Sequence, residues 1–330
     1  MNKPELNPWD IIHTSDKQLE ESKETKKLIN VCSARDFIKQ GLSMEKPNEL
    51  FEYVLVEKEL TILFGDTGLG KTTLAFQIAI ELAEKNHRVI YFNFELSQTQ
   101  FASKYPNKAI PDNLFVANID YSQMSDVTEQ SQIIESIEQS TLESHADVII
   151  IDNLTNLCLN VKEGSDAAIV MLKLLKMRMM HQWTMLVLAH VPKRKTSDPI
   201  TLNDLAGSKI VSNIADNVVA INRSKVSSAT RYLIQLKYRS FPITLNYLNV
   251  LTLTIGMFDG WLSFKKGDFC EERKHLPRSR DEKAELERDI IEAVNSNPGK
   301  SYRAIANELE VSLGCVQRVL KANGIRRKTD

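Results

Sequence analysis

From Glu59 onward, short runs that are almost wholly apolar alternate with longer segments of helical spacing. LTILFG (60–65), RVIYFNFE (88–95), DVIIID (147–152), TMLVLAH (184–190) and NVVAINRS (217–224) have strand composition. TTLAFQIAIELAEKN (72–86) groups Leu74, Ile78 and Leu82 with Ala75 and Ala79 at helical spacing. AAIVMLKLLKMRMMHQW (167–183) reads as a second helix. A strand that is apolar at both parities is buried on both faces, and alternating helices supply the two covers. The pattern predicts an α/β fold whose mostly parallel sheet is flanked by helices.

After Arg231 the pattern changes. RYLIQLKYRS, ITLNYL and LTLTIGMFDGWLSF have strand composition with little room for helices between them, which predicts antiparallel additions at one edge. Residues 265–280 begin a charged stretch poor in apolar residues and read as a linker. From 281 to 330 a small all-α module follows. Its first helix, about 281–296, offers Leu286, Ile290, Ile291 and Val294 to a core. Ser301 caps a second helix with Ile305, Ala306 and Leu309 inward. Ser312 caps a third with Val316, Val319 and Leu320 inward, and Gly324 suits the left-handed closing position. Residues 1–32 are polar and charged and read as a flexible arm, which leaves 33–264 for the sheet domain; SARDFIKQGL (33–42) reads as a short helix capped by Ser33.

Composition removes several classes. The 330 residues carry a net charge of −1, so any nucleic-acid contact must come from local patches. Four cysteines lie far apart with no C-x-x-C pair, which argues against a disulfide framework or a zinc site and fits a cytoplasmic protein. No apolar run reaches membrane-spanning length and no secretory leader is legible, so no membrane role is expected.

The strongest chemical signal is GDTGLGKTT (65–73), directly after an apolar strand and directly before a helix. This is the G-x-x-x-x-G-K-T phosphate cradle. Gly65, Gly68 and Gly70 allow tight backbone and close approach of a phosphate, while Asp66, Thr67, Leu69 and Thr73 complete the loop. Backbone amides at a helix N-terminus then face the anion. Lys71 would reach the β- and γ-phosphates of ATP, and the Thr72 hydroxyl would ligate Mg²⁺. Asp152, the acid closing a buried strand, faces the same crevice and can hold the Mg²⁺ through water, or can merely cap the following turn. Glu95 ends the strand expected to lie beside the first; it can orient the attacking water or simply start a helix. His190 at a strand tip can hydrogen-bond the γ-phosphate, although a lone histidine is more often structural.

Taken in order, these elements resemble the RecA-like ATPase core, and most specifically the DnaB-type and RepA-like hexameric replicative helicases. FELSQTQFASKY resembles the helicase segment in which a glutamate, here Glu95, is the catalytic carboxylate. DLAGSKIVSNIADNVVAINRS (204–224) and the K-x-R of YLIQLKYRS (232–240) resemble later elements of that group. The resemblance implies that Lys237 and Arg239 reach across a subunit interface to the γ-phosphate of a neighbour. On composition alone they can equally be solvated residues of one strand face. His190 matches the position held by histidine in RepA-like members. Asn153 stands where many relatives carry a second acid.

The resemblance also implies a homo-oligomeric ring, a hexamer, with loops lining a channel for single-stranded DNA. Those loops are 153–167 and 191–208, the second carrying Lys193, Arg194 and Lys195. The C-terminal module resembles a helix-turn-helix, with Leu313, Gly314, Gln317, Arg318 and Lys321 on the free face of the third helix. From Lys300 to Asp330, seven basic residues and three acids leave a local charge of +4. The expectation is a Mg²⁺-dependent ATPase that translocates on or remodels DNA in a plasmid, phage or mobile element. The alternatives are an ATP-regulated DNA-binding regulator and a recombination-mediator ATPase.

Overall fold

The computed structural model describes residues 29–120, 122, 130–158, 164–191, 194–195, 198–205 and 208–325. Most of the expected arm (1–28), residues 159–163 of the first channel loop, Lys193, and Arg326, Arg327 and Lys328 lie outside the described residues. The chain divides between Lys46 and Pro47 into two compact units, and the sheet lies in the second. The first unit carries helix α1 (Ala34–Ser43), capped by the Ser33 hydroxyl, which accepts from Asp36 N at 3.1 Å. Its Phe37, Ile38 and Leu42 are exposed.

The second unit opens with the short pair β1 (Glu49–Phe51) and β2 (Leu55–Val56). Then come β3 (Leu60–Gly65), α2 (Lys71–Glu84), β4 (Val89–Asn93), α3 (Gln98–Ala102) and β5 (Leu114–Ala117). They are followed by α4 (Gln130–Glu143), β6 (Val148–Asp152), α5 (Gly164–His181), β7 (Thr184–His190), α6 (Ser208–Ile214) and β8 (Asn217–Arg223). β9 (Thr230–Lys237), β10 (Val250–Phe258) and β11 (Trp261–Cys270) complete a nine-stranded sheet in the order β11-β10-β9-β8-β3-β7-β6-β4-β5. β3 to β8 run parallel, and β9 to β11 add antiparallel on the β8 side.

The period of two sorts each strand between two cores. Ile62 and Phe64 of β3 and Ile149 and Ile151 of β6 pack on the face covered by α4 and α5. Leu63, Val148 and Ile150 turn to the face covered by α2, whose Leu74, Ile78 and Leu82 are buried as its spacing predicts. Each such fully buried aliphatic contributes on the order of 1.5–3 kcal/mol, which is why runs apolar at both parities end up in the interior.

Several expectations change. ITLNYL (243–248) holds only an isolated bridge between Asn246 and Asn249. The Gln235 side-chain oxygen takes the amides of Thr244 and Leu245, at 2.9 and 3.0 Å, which a strand would need for its ladder. The stretch read as a linker, 265–280, begins instead as the end of β11 and continues as α7 (Glu272–His275). Lys265, Lys266 and Asp268 are exposed positions on an edge strand, where charges discourage further pairing and mimic linker composition. Glu272 is buried and accepts from Tyr232 Oη at 2.8 Å and Ile200 N at 3.2 Å. The short β5 and the helix α4 went unread in the pattern.

Three helices close the chain: α8 (Arg280–Ser296), α9 (Tyr302–Glu308) and α10 (Leu313–Ala322). Ile290, Val294, Ile305, Ala306, Val316 and Leu320 form their core, with Leu286, Leu309 and Val319 packed against it. Ile291 is half-buried outside that core, and Leu313 is half-buried rather than free. Ser301 and Ser312 cap their helices through Ala304 N and Cys315 N. Gly324 is left-handed at φ 68° and lets Ile325 N reach Leu320 O at 2.9 Å. Between α9 and α10, Glu310 takes the same conformation at φ 49°.

Candidate functional site

The site is built at the C-terminal ends of β3, β6 and β7, where an open α/β sheet presents its crevice. β3 ends at Gly65, whose Cα lies so close to β8 that a Cβ would meet the Ile221 carbonyl oxygen at 2.3 Å. The loop then turns through Gly68 and Gly70 at φ 77° and 94°, and α2 starts at Lys71. Space above Gly68 is open, whereas Gly70 is backed by Ile255 and Phe264 of the antiparallel strands. Open, left-handed glycines before a helix N-terminus are the backbone a phosphate requires.

Lys71 is buried. Its Nζ donates to Gly65 O at 2.7 Å and Asp66 O at 3.0 Å and meets His190 Nδ1 at 3.3 Å. Burial pushes its ammonium below the ordinary lysine range, opposed by Glu95, Asp152 and Asp66. His190 Nε2 lies 3.0 Å from Asn153 Nδ2, which also donates to Glu95 Oε2 at 2.8 Å. Both ring nitrogens of His190 thus face donors. A neutral imidazole can accept at only one of them. Burial and then Lys71 hold its pKa below the ordinary value, which keeps it neutral near pH 7.

Asp152 is almost fully buried and accepts from Tyr91 Oη at 2.8 Å. Burial raises its pKa, and the neighbouring Thr72 and Tyr91 hydroxyls pull the other way. Asp152 and Thr72 present hard oxygen ligands side by side, a donor set that suits Mg²⁺ with its remaining positions on waters and phosphates. Among the described residues no three His, Cys, Asp or Glu side chains group into a denser metal cage.

Lys71, His190, Asn153 and Glu95 therefore form one hydrogen-bonded chain, and Asp152 and Thr72 lie beside it at the end of β6 and the start of α2, so groups from four separate segments meet. The expectation about Glu95 changes in one respect. β4 is separated from β3 by β7 and β6, so its strand is not beside the phosphate-loop strand. Glu95 reaches the site past the end of β4, where Phe94 N bonds Asp152 O at 2.8 Å and Asn153 bridges to the carboxylate.

Lys237 and Arg239 lie elsewhere. Val218 pairs with Lys237 and Asn217 with Thr61, so both cations sit at the N-terminal ends of the parallel strands, opposite Gly65. Lys237 Nζ donates to the carbonyls of Ser212, Asn213 and Ala215 at 3.0, 3.1 and 2.6 Å, closing the C-terminus of α6. Arg239 pairs with the buried Asp216 at 2.7 Å and keeps 57% of its side chain exposed. Arg178 and the amide of Leu60 complete the shell of Asp216 at 2.5 and 3.0 Å. In the second loop Arg194 folds back and donates to Asp198 O at 2.9 Å, while Lys195 is exposed. Gln317, Arg318 and Lys321 are exposed on α10.

Two participants escaped the sequence reading. Arg231, buried at the start of β9, donates from Nε to Leu69 O at 3.2 Å and so braces the phosphate loop from behind. Tyr91 orients Asp152 from within β4. A charged residue opening an apolar strand was the available signal for Arg231; a tyrosine in a hydrophobic run gave none for Tyr91.

Residues 31–196 match the model of a family described as AAA domain. The match includes the phosphate loop, Glu95, Asp152 and His190; Arg231, Lys237, Arg239 and the three-helix module lie beyond it. The chain is 27% identical over 170 residues to DNA repair protein RadA of Chlamydia pneumoniae, covering 50% of this chain and 33% of that protein. It is 24% identical over 166 residues to DNA repair protein RadA of Chlamydia muridarum (strain MoPn / Nigg), covering 48% and 32%. The aligned part thus spans about a third of these relatives' length. A KaiC-like protein, PH0186 from Pyrococcus horikoshii OT3, superposes with a TM-score of 0.48 at 16% identity, covering 67% of this chain and 98% of that one.

Proposed function

The chain belongs to the AAA domain family, and from that premise we propose that it is a RecA-like P-loop ATPase that hydrolyses ATP only when assembled and uses the cycle to move on or remodel DNA. The observation that carries this reading is the division of labour within one protomer. Lys71, Thr72, Asp152, Glu95 and His190 converge at one end of the sheet, while Lys237 and Arg239 stand at the other.

In this reading the loop 65–73 cradles the triphosphate and Lys71 leaves its carbonyl partners to meet the β- and γ-phosphates. Thr72 and Asp152 would hold Mg²⁺, which would screen the phosphate charge. Glu95 takes a proton from the attacking water, and the Asn153 bridge sets its carboxylate. His190 exchanges its contact with Lys71 for one with the γ-phosphate and carries the nucleotide state to Asn153. A neighbour's Arg239 stabilises charge developing on the transferred group, a contribution worth roughly 10³–10⁵ in rate where such cations operate. A ring of six copies, with Lys195 directed at single-stranded DNA and the C-terminal helices acting as a helix-turn-helix on duplex, completes the proposal.

ATP turnover with and without single-stranded DNA, beside a mass measurement in solution, tests it. Turnover by a dilute monomer at the rate of the assembled protein would overturn the dependence on assembly. A second reading, a recombination-associated ATPase, is favoured by the similarity to proteins named for DNA repair. Strand displacement on a forked substrate supports the motor; joint-molecule formation without displacement supports the second reading.

A further inference from the structure

We propose that the cleft between the β8–β9 turn and α10 binds the phosphodiester backbone of the same duplex whose major groove α10 enters; the inference rests on the helix-turn-helix reading above. The cleft encloses about 660 Å³. Three separate elements line it with cations: Lys225 from the β8–β9 turn, Arg278 from the segment before α8, and Lys283 from α8. Arg318 of α10 adds a fourth. Glu287 and Glu310 also contribute to the lining, which leaves it net positive, and Glu287 already accepts from Asn323 Nδ2 at 2.6 Å.

Among the described residues Lys225, Arg278 and Lys283 make no ion pair, whereas nearby Arg273 is paired with Glu282. In a chain whose net charge is −1, three unpaired cations from three elements converging on one space are a local arrangement, not an overall bias. Partial burial, then Arg273 and Arg278, hold the Lys225 ammonium below its ordinary range, opposed by Glu282. An anion entering the cleft relieves that repulsion.

The position of Arg318 selects a DNA backbone over a free anion. It lines the cleft, and by i+4 and i+3 spacing it shares a helix face with Gly314 and Lys321. A helix seated in a major groove about 12 Å wide is walled by phosphates on either side. With Gly314, Gln317 and Lys321 toward the bases, the wall on the Arg318 side runs into the cleft. Lys225 belongs to the sheet and Lys283 to the helical module, so one duplex touches both. The turn that carries Lys225 is joined to α7 by a bond from Lys225 N to His275 O at 2.8 Å, and β9 begins there with the brace Arg231.

The test uses the full chain and a fluorescent random-sequence duplex of about 30 base pairs, with log affinity followed against log salt concentration. Each phosphate contact contributes about 0.9 to the slope. The combined Lys225→Gln, Arg278→Gln, Lys283→Gln variant is expected to lose about 2–3 units of slope and bind more than tenfold more weakly at low salt. Lys225→Arg with Lys283→Arg should retain the wild-type slope, which separates charge from folding. If Gln317→Ala and Lys321→Ala weaken duplex binding while the triple variant keeps its slope, the cleft inference falls and the helix-turn-helix reading stands. If the wild-type chain binds no duplex, both fall. If the triple variant loses only its affinity for tripolyphosphate, the cleft serves a free polyanion and the duplex assignment is overturned.

Discussion

The two ends of the parallel strands face opposite electrostatic problems. At the C-terminal end, Asp152 and Glu95 surround a single buried ammonium, Lys71, and the glycine loop offers amides to an anion that the chain does not itself supply. At the N-terminal end, Arg178 and Arg239 share one buried carboxylate, Asp216, and Lys237 caps the carbonyls of α6. The first end is short of cations for a triphosphate; the second holds an exposed one. A sheet that separates these groups by the length of its strands keeps Arg239 away from the phosphate loop of its own copy; under the proposal above, a partner copy supplies that cation.

The largest way to break the comparison is at Arg239. Arg239→Ala should retain nucleotide binding while turnover falls about 10³-fold, and mixing with Lys71→Ala chains should restore some activity. Normal turnover by the Arg239 variant alone would end the idea that the two ends cooperate. Lys71 comes next. Lys71→Ala is expected to lower ATP turnover by about 10²–10³, measured as phosphate release, because its ammonium is held against the carbonyls of the phosphate loop itself.

Arg231→Lys sharpens the picture of the loop. Loss of the bond to Leu69 O should raise KM for ATP about tenfold with little change in kcat, since a hydrogen bond to a charged group is worth about 1.5–3 kcal/mol. Steady-state kinetics distinguishes this from a general loss of fold. The smallest effect concerns proton linkage. His190 is held below its ordinary pKa of 6.5, so between its folded value and 6.5 the unfolded chain binds more protons. Stability contributed by this residue is present above 6.5 and declines as pH falls through that window. Thermal melting from pH 7.5 downward should therefore fall less steeply for His190→Gln than for the wild type.

Much of the first end was legible along the chain. G-x-x-x-x-G-K-T is a local device: strand, loop and helix are contiguous, so seven or eight letters specify both the backbone and the ligand. The helical module was legible for the same reason. Ser301, Ser312 and Gly324 act on amides and carbonyls a few residues away. Less was visible where partners are distant. Residues 265–270 read as a linker because an edge strand and a linker share charged, exposed positions. ITLNYL read as a strand because nothing in it tells that Gln235 takes its amides.

Local spacing and composition by themselves determined the phosphate loop, the doubly covered sheet, the antiparallel edge and the three capped helices, since each depends on neighbours within a turn or a strand. Only the tertiary structure decided that Asn153 joins Glu95 to His190, that Arg231 braces Leu69, and that Arg239 stands on Asp216 at the far rim. The Glu95–Asn153–His190 bridge depends on strand order, which inserts β7 and β6 between β3 and β4, and the other two on the antiparallel strands laid beside β8. Strand order follows from how all the covering helices pack at once, and no window of sequence contains that competition.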